Sequence, residues 1–321
     1  MKALIYTTYG GPEVLQVKEV PIPIAADNEV LIKVFAVSIN DWDWGLLTGD
    51  FINRMMYGRK KPTKQILGSD ISGRVVSLGK NVTRFKVGDE VFGDLSGRWG
   101  GFAEYVCADE KALALKSPKM TFEEAAAIPQ AGMLAVQGLI DKGCIQPGQS
   151  LLINGAGGGV GTFGLQIAKM HGLEVTVVDS SAKLDMLRTL GADHLIDYRQ
   201  VDFTKTGKTY DLVLDVKTNR SITRYLRALK PKGKYITVGG SGSRLLQAFI
   251  FKPLISVFSN KKIIIVMLKT NKDLLYMNEL FESGKLRTVI DGHYRLEEIP
   301  EAFKRFSRAE HLGKIVITVA D

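Results

Sequence analysis

Cysteine is scarce in this 321-residue chain: only Cys107 and Cys144 occur. They lie far apart, without the paired spacing of a metal knuckle or a disulfide framework, which fits a reducing, cytoplasmic setting. Histidine is nearly as rare. The four that occur (His171, His194, His293 and His311) are scattered and read as surface or packing residues rather than ligands. Long apolar runs are missing too. The most apolar segment, 245–258, is interrupted by Lys252 and Pro253 and is too short to cross a bilayer as a helix. The opening residues, MKALIYTTYGGPEV, have no apolar core and no small-residue cleavage site, so no secretory leader is expected in them.

The composition that is present is globular, with 45% hydrophobic residues and a net charge of +9. A positive balance suits an anionic cofactor, a nucleic acid or an anionic membrane, and does not choose among them. The length exceeds one hydrophobic core, so two domains are expected. Up to about residue 120, short β-branched runs alternate with glycines, as in EVLIKVFAVSIN and GDEVFG, and predict a mostly β domain. Thr121 and Glu124 have capping-box spacing and predict that a helix, and a new domain, starts there. Strand-like and helix-like segments then alternate, which implies a parallel sheet covered on both faces. The closing LGKIVITV is read as a strand that returns to the first domain.

Residues 151–179, LLINGAGGGVGTFGLQIAKMHGLEVTVVD, run strand, glycine-rich turn, helix, strand, acid, which is the order of a dinucleotide-binding unit. Glycine is needed where backbone approaches a diphosphate, and the amides of the following helix present partial positive charge to it. Two registers satisfy the pattern. The one through Ala156, Gly158 and Gly161 puts the turn directly after the apolar run, with Gly159 and Val160 opening the helix; the one through Gly159, Gly161 and Gly164 pushes it into the helix. Asp179 closes the second strand, where an acid suits the ribose hydroxyls of NAD and repels the phosphate of NADP. Ser180 and Lys183 favour the opposite choice. NADP(H) is preferred and NAD(H) stays open, as does the bland reading of Lys183 as a solvated helix charge. Tyr198 is placed near the adenosine, Gly239, in the glycine-rich end KYITVGGSGS, is a further cofactor-binding candidate, and the apolar segment 245–258 that follows it is expected beside the nicotinamide.

Several segments together resemble the medium-chain dehydrogenase/reductase superfamily, and within it the zinc-free, zeta-crystallin-like quinone oxidoreductase branch. They are SINDWD, GSDISGRVVSLGKNVTRFKVGDEVFG, NGAGGGVGTFGLQIAKMHG, LGADHLIDY and HLGKIVI. The resemblance implies an α/β chain: a GroES-like, mostly β catalytic domain from 1–121 and 269–321, and a Rossmann doubly wound parallel sheet domain from 122–268, with the active site in the cleft between them. It also implies a homodimer. Zinc-dependent members look as though they place a cysteine at the position of Asn40, a His-Glu pair at Ser69 and Asp70, and a cysteine near Gln130. Neutral amides and hydroxyls are poor zinc ligands, so no catalytic metal is expected.

Hydride transfer to a conjugated carbonyl needs a hydrogen-bond donor for the developing enolate charge. By similarity to the family, Asn40 is the candidate donor; its alternative is a turn amide ending the preceding strand. Asp43 shapes the same turn, and Tyr57 is a second donor or gate. Trp42 and Trp44 either line an apolar pocket or belong to the core. No side chain reads as a dedicated strong acid, which leaves the proton to water.

The stretch from Arg54 to Ser69 holds five basic residues and no acid, and reads as a solvated loop that could steer an anion; nucleic-acid binding is not expected with only Tyr57 available for stacking. The segment 245–258 is compatible with a lid, a dimer contact, a peripheral membrane patch or plain core. The leading expectation is an NADPH-dependent reductase of small apolar quinones or α,β-unsaturated carbonyls. A 2-enoyl thioester reductase, and a nucleotide-bound structural or RNA-binding protein, are the alternatives.

Overall fold

The computed structural model describes residues 1–240 and 242–320. The chain divides into two compact units. The first comprises Met1–Gln130, Thr270–Gly284 and the stretch from Thr288 onward; the second comprises Ala131–Lys269 and Lys285–Arg287.

The first unit contains β1 (Lys2–Ile5), β2 (Gln16–Glu19), β3 (Glu29–Ser38), β4 (Asp70–Leu78), β5 (Glu90–Asp94), β6 (Tyr105–Asp109) and β7 (Ala114–Leu115). The second contains β8 (Ser150–Asn154), β9 (Glu174–Asp179), β10 (His194–Asp197), β11 (Tyr210–Asp215), β12 (Leu229–Thr237) and β13 (Lys262–Ile265). The chain then re-enters the first unit with β14 (Ile290–Arg295) and β15 (Lys314–Thr318).

In the first unit β3 is the central strand. It pairs antiparallel with β4, β6 and β15, and the seven-stranded sheet runs β14-β15-β3-β4-β5-β7 with β6 attached to β3. Its sequence alternates Val30, Ile32 and Val34, all buried, with half-buried residues, the period-2 pattern of a strand with one face on a core. The helix Ile299–Ser307 adds Ile299, Ala302 and Phe303 to that core. The C-terminal strand does return to the first unit: Val316 stands opposite Ser38.

The second unit is a six-stranded parallel sheet in the order β10-β9-β8-β11-β12-β13. β8 is buried along its whole length, as a parallel strand covered on both faces must be. Burial of Leu151, Leu152 and Ile153 stabilises the unit by about 2 kcal/mol each. The strand order reverses between β8 and β11, and in such sheets ligands sit outside the carboxyl ends of the strands at that reversal.

The hand-over between units falls later than residue 122, where the capping box had suggested it. The box forms, but the helix Phe122–Ala126 is short and packs on the first unit. Phe122 stacks on Phe35 at 4.3 Å, the Ser72 hydroxyl donates to the Phe122 carbonyl, and the Gln130 amide donates to Asp70. Lys285–Arg287 departs from the expected boundary for a similar reason: Gln166 exchanges two hydrogen bonds with the Arg287 backbone, at 2.9 and 3.0 Å. The segment 245–258 lies within one helix, Gly242–Phe258, with Ala248 buried and Leu246, Phe249 and Ile250 exposed, so only part of it is core. Among the described residues, no helix is long and apolar enough to cross a membrane.

Candidate active-site elements

In the second unit the glycine-rich turn is built by backbone. β8 ends at Asn154, residues 155–158 turn, and the helix Gly159–Met170 begins with Gly158 as its cap, so the Ala156, Gly158 and Gly161 register frames the turn. Gly155 takes a left-handed φ of +84°. The Gly155 and Ala156 amides donate to Val178 at 2.9 and 3.3 Å, tying the turn to β9. A Cβ on Gly161 would run into the Ala156 backbone, whereas one on Gly158 would meet open space, with Gly155 O at 4.0 Å the nearest atom. The first-turn amides of a helix have no partner within it, and space in front of them suits an anion.

Asp179, at the end of β9, is turned toward that loop. Its Oδ2 accepts from the Gly157 amide at 2.8 Å and its Oδ1 from the Ser180 amide at 2.9 Å. Lys183 is buried, not a solvated helix charge: its stem covers Gly157 and its Nζ lies 3.9 Å from Asp179 Oδ1. The helix Ser181–Thr189 follows directly on Asp179 and Ser180, so its first turn carries Lys183 back beside Asp179. Tyr198 is exposed, with its amide donating to the Asp179 carbonyl at 3.1 Å. Gly239 follows β12, and its carbonyl accepts from the hydroxyls of Thr218 and Thr237.

Behind these lies a network that the strand pattern did not reveal. Asp215, the last residue of β11, is fully buried and accepts from Tyr235 Oη at 2.7 Å, Asn154 Nδ2 at 2.8 Å and the Thr218 amide at 2.9 Å. It ties together the carboxyl ends of β8, β11 and β12. Burial first, and the Asp215 charge second, push the Tyr225 and Tyr235 phenols far up, so both stay protonated donors. The signal in the sequence was the acid that ends the run YDLVLD.

The first unit holds a different construction. Asn40 precedes the helix Asp41–Thr48, and its backbone amide donates to Asp43 Oδ2 at 2.9 Å. Asp43 Oδ1 accepts from the Gly68 amide at 2.9 Å, so a fully buried carboxylate clamps the turn to the segment before β4. Burial pushes Asp43 up to about 7, opposed by the two amides it accepts from.

Beside this clamp lies Lys314, the first residue of β15, buried among acceptors. Its Nζ donates to Asn40 Oδ1 at 2.5 Å and to the Ile39 carbonyl at 3.0 Å, and lies 3.7 Å from Asp70 Oδ2. An ammonium only donates, so the amide oxygen of Asn40 faces Lys314 while its Nδ2 points toward Ser69 Oγ at 3.4 Å. Asp70 stands opposite Asp94 in the β4–β5 register. Burial raises Asp70 to about 7, with Lys314 pulling it down, and raises Asp94 as well. Burial also lowers Lys314, and Asp70 pulls it back up. Asp70 Oδ1 and Asp94 Oδ2 have no hydrogen-bond partner among the described residues. Gln130 closes the group, with Nε2 3.1 Å from Ser96 Oγ and 3.5 Å from Ser69 Oγ.

Asn40 and Asp43 are thus brought together, and Tyr57 stands apart. It ends the helix Phe51–Tyr57 and packs edge-on against Trp99, with ring centroids 6.5 Å apart. Trp42 also meets Trp99 edge-on at 5.5 Å but stays exposed, whereas Trp44 lies against Phe303 and packs on the core. The sequence places Lys314 only within a closing strand. A lysine inside LGKIVITV, where an outward-facing charge is the default, carries little sign of an inward one.

Residues 26–119 match the alcohol dehydrogenase GroES-like domain family and residues 190–317 the zinc-binding dehydrogenase family. The quinone oxidoreductase QR1 of Triphysaria versicolor is 33% identical over 99% of this chain and 98% of its own length. The NADPH-dependent alkenal/one oxidoreductase of Arabidopsis thaliana is 30% identical over 99% of this chain and 79% of its own. Among solved structures, the quinone oxidoreductase of Coxiella burnetii superposes with a TM-score of 0.89 at 29% identity, covering 100% of this chain and 99% of that one. With two sheets of the expected kinds and relatives of this similarity over nearly the full length, the chain belongs to the medium-chain dehydrogenase/reductase superfamily, in its quinone oxidoreductase branch.

Proposed function

We propose that this oxidoreductase reduces a quinone or an α,β-unsaturated carbonyl with NADPH and without zinc. The observation that carries the reading is Lys314. The positions at which zinc-dependent members are expected to place their ligands hold Asn40, Ser69, Asp70 and Gln130, and an ammonium already lies against two of them. Amides and hydroxyls bind zinc weakly, the one carboxylate of the set, Asp70, already faces Lys314, and a second cation would meet that ammonium. These residues do not fit a catalytic zinc.

They fit a donor. Lys314 holds the Asn40 oxygen, leaving Nδ2 as the group that Asn40 can offer to an oxygen gaining negative charge. Asp43 fixes the backbone from which that amide projects. The dinucleotide, when bound, supplies the hydride. The Gly158 cap and the amides after it suit its diphosphate, since the space in front of the Gly158 Cα is open. Both Asp179 oxygens are engaged with backbone amides and Lys183 is close by, which weakens repulsion of a 2′-phosphate and supports NADPH over NADH. The name of the Arabidopsis relative points the same way.

The test is oxidation of NADPH with an ortho-quinone, an alkyl enone and a 2-enoyl thioester, each with and without a strong zinc chelator. Turnover with the quinone or enone that withstands the chelator is expected; turnover confined to the thioester, or abolished by chelation, would overturn the reading. Asn40→Ala should lower kcat by about 10²-fold while leaving NADPH binding unchanged.

A further inference from the structure

The helix Phe51–Tyr57 has an inner and an outer face, and the outer one is apolar. Asp50 caps it by accepting from the Asn53 amide at 2.9 Å, and Asn53 is buried, with its side chain bound to Asp50 and Trp42. Tyr57 packs inward on Trp99. With those residues inside, Phe51, Ile52, Met55 and Met56 face outward, 80%, 60%, 65% and 61% exposed. Positions i, i+1, i+4 and i+5 form one stripe along a helix, so these four side chains make a contiguous patch. Exposed apolar residues are usually single, and a cluster of this kind marks a contact surface.

The residues that follow identify the contact by charge. Arg59, Lys60 and Lys61 are exposed and Lys64 is partly so, while residues 51–69 include no aspartate or glutamate. Arg54 does not join them, because its Nε donates to the Gly49 carbonyl at 2.6 Å and its guanidinium lies over Tyr9. A second copy docking through this face about a two-fold axis would bring these cations toward their own counterparts. A surface with an apolar interior and an anionic rim satisfies both halves of the patch.

We propose that Phe51, Ile52, Met55 and Met56 insert into the interfacial layer of an anionic lipid bilayer while Arg59, Lys60 and Lys61 lie among its headgroups. The proposal stands on this surface alone and is independent of the hydride-transfer reading.

The full chain is sedimented with vesicles of phosphatidylcholine alone and of phosphatidylcholine mixed with phosphatidylglycerol, at low and high salt. The wild type should pellet with the mixed vesicles and be released by salt. Lys60→Gln and Lys61→Gln should each weaken partitioning about fivefold. Ile52→Ser with Met55→Ser should weaken it further while leaving the salt dependence unchanged. Thermal unfolding of every variant should match the wild type, since the altered side chains are exposed. Failure to bind the mixed vesicles, equal binding to neutral ones, or wild-type binding by the serine variant would overturn the proposal. So would conversion of an oligomer to a monomer by the serine variant, which would show that another copy covers this face.

Discussion

The glycine turn of the second unit and the Asn40 cluster of the first place charge by opposite means. The turn uses backbone: Gly158 leaves space before a helix end, and the partial charge comes from amides that any sequence would carry there. The cluster uses side chains drawn from distant parts of the chain, Asn40, Asp70, Gln130 and Lys314, and gathers one ammonium and three carboxylic acids away from water. Backbone charge is built into the fold at little cost, whereas buried ionised groups persist only while each has its partners. The turn should therefore tolerate changes that its ligand does not, and the cluster should be fragile in itself.

Lys314→Met tests this contrast most severely. It leaves Asp70 buried without its cation and should destabilise the protein by about 3–5 kcal/mol in urea unfolding. The loss should shrink as pH falls, because Asp70 then takes up a proton, and adding Asp70→Asn to Lys314→Met should recover part of it. A loss equal to that of an exposed lysine would mean that the cluster is not held by charge.

Gly158→Asp makes the reverse case. A side chain there meets open space, so melting temperature should stay near wild type, while affinity for NADPH falls about a hundredfold as a carboxylate confronts the phosphates. Gly161→Ala is its control. The added Cβ collides with the Ala156 backbone, so stability should drop by about 1–3 kcal/mol.

The smallest effect concerns Asp43. Burial holds its carboxyl at about 7, so the native state binds its proton more tightly than the unfolded chain does. That contribution is present at low pH and is lost as pH rises from about 4 to about 7. Against Asp43→Asn, the wild-type urea midpoint should fall over that window and level off above it. A flat difference would mean that Asp43 ionises as readily folded as unfolded.

Much of the second unit could be read before folding because its signals are local. The run LLIN, the glycines after it and the acid ending EVTVVD lie within one supersecondary unit, where spacing alone decides strand, turn and helix. Lys183 shows where that ends: its helix was evident, but whether the side chain turned outward or over Gly157 depended on the neighbouring strand. The unit boundary lies later than the one expected after residue 121 because Phe122 stacks on Phe35, more than eighty positions earlier.

The alternation of strands and helices and the fork of glycines before a helix were determined by the sequence alone, since each follows from residue type and short-range spacing; the absence of thiols and imidazoles at the ligand positions is read from residue type once the family resemblance names those positions. Tertiary structure decided which charges are buried together. The lysine of an ordinary closing strand meets Asn40 and Asp70 only because β15 pairs with β3, and that long-range pairing turns three unremarkable polar residues into one electrostatic unit.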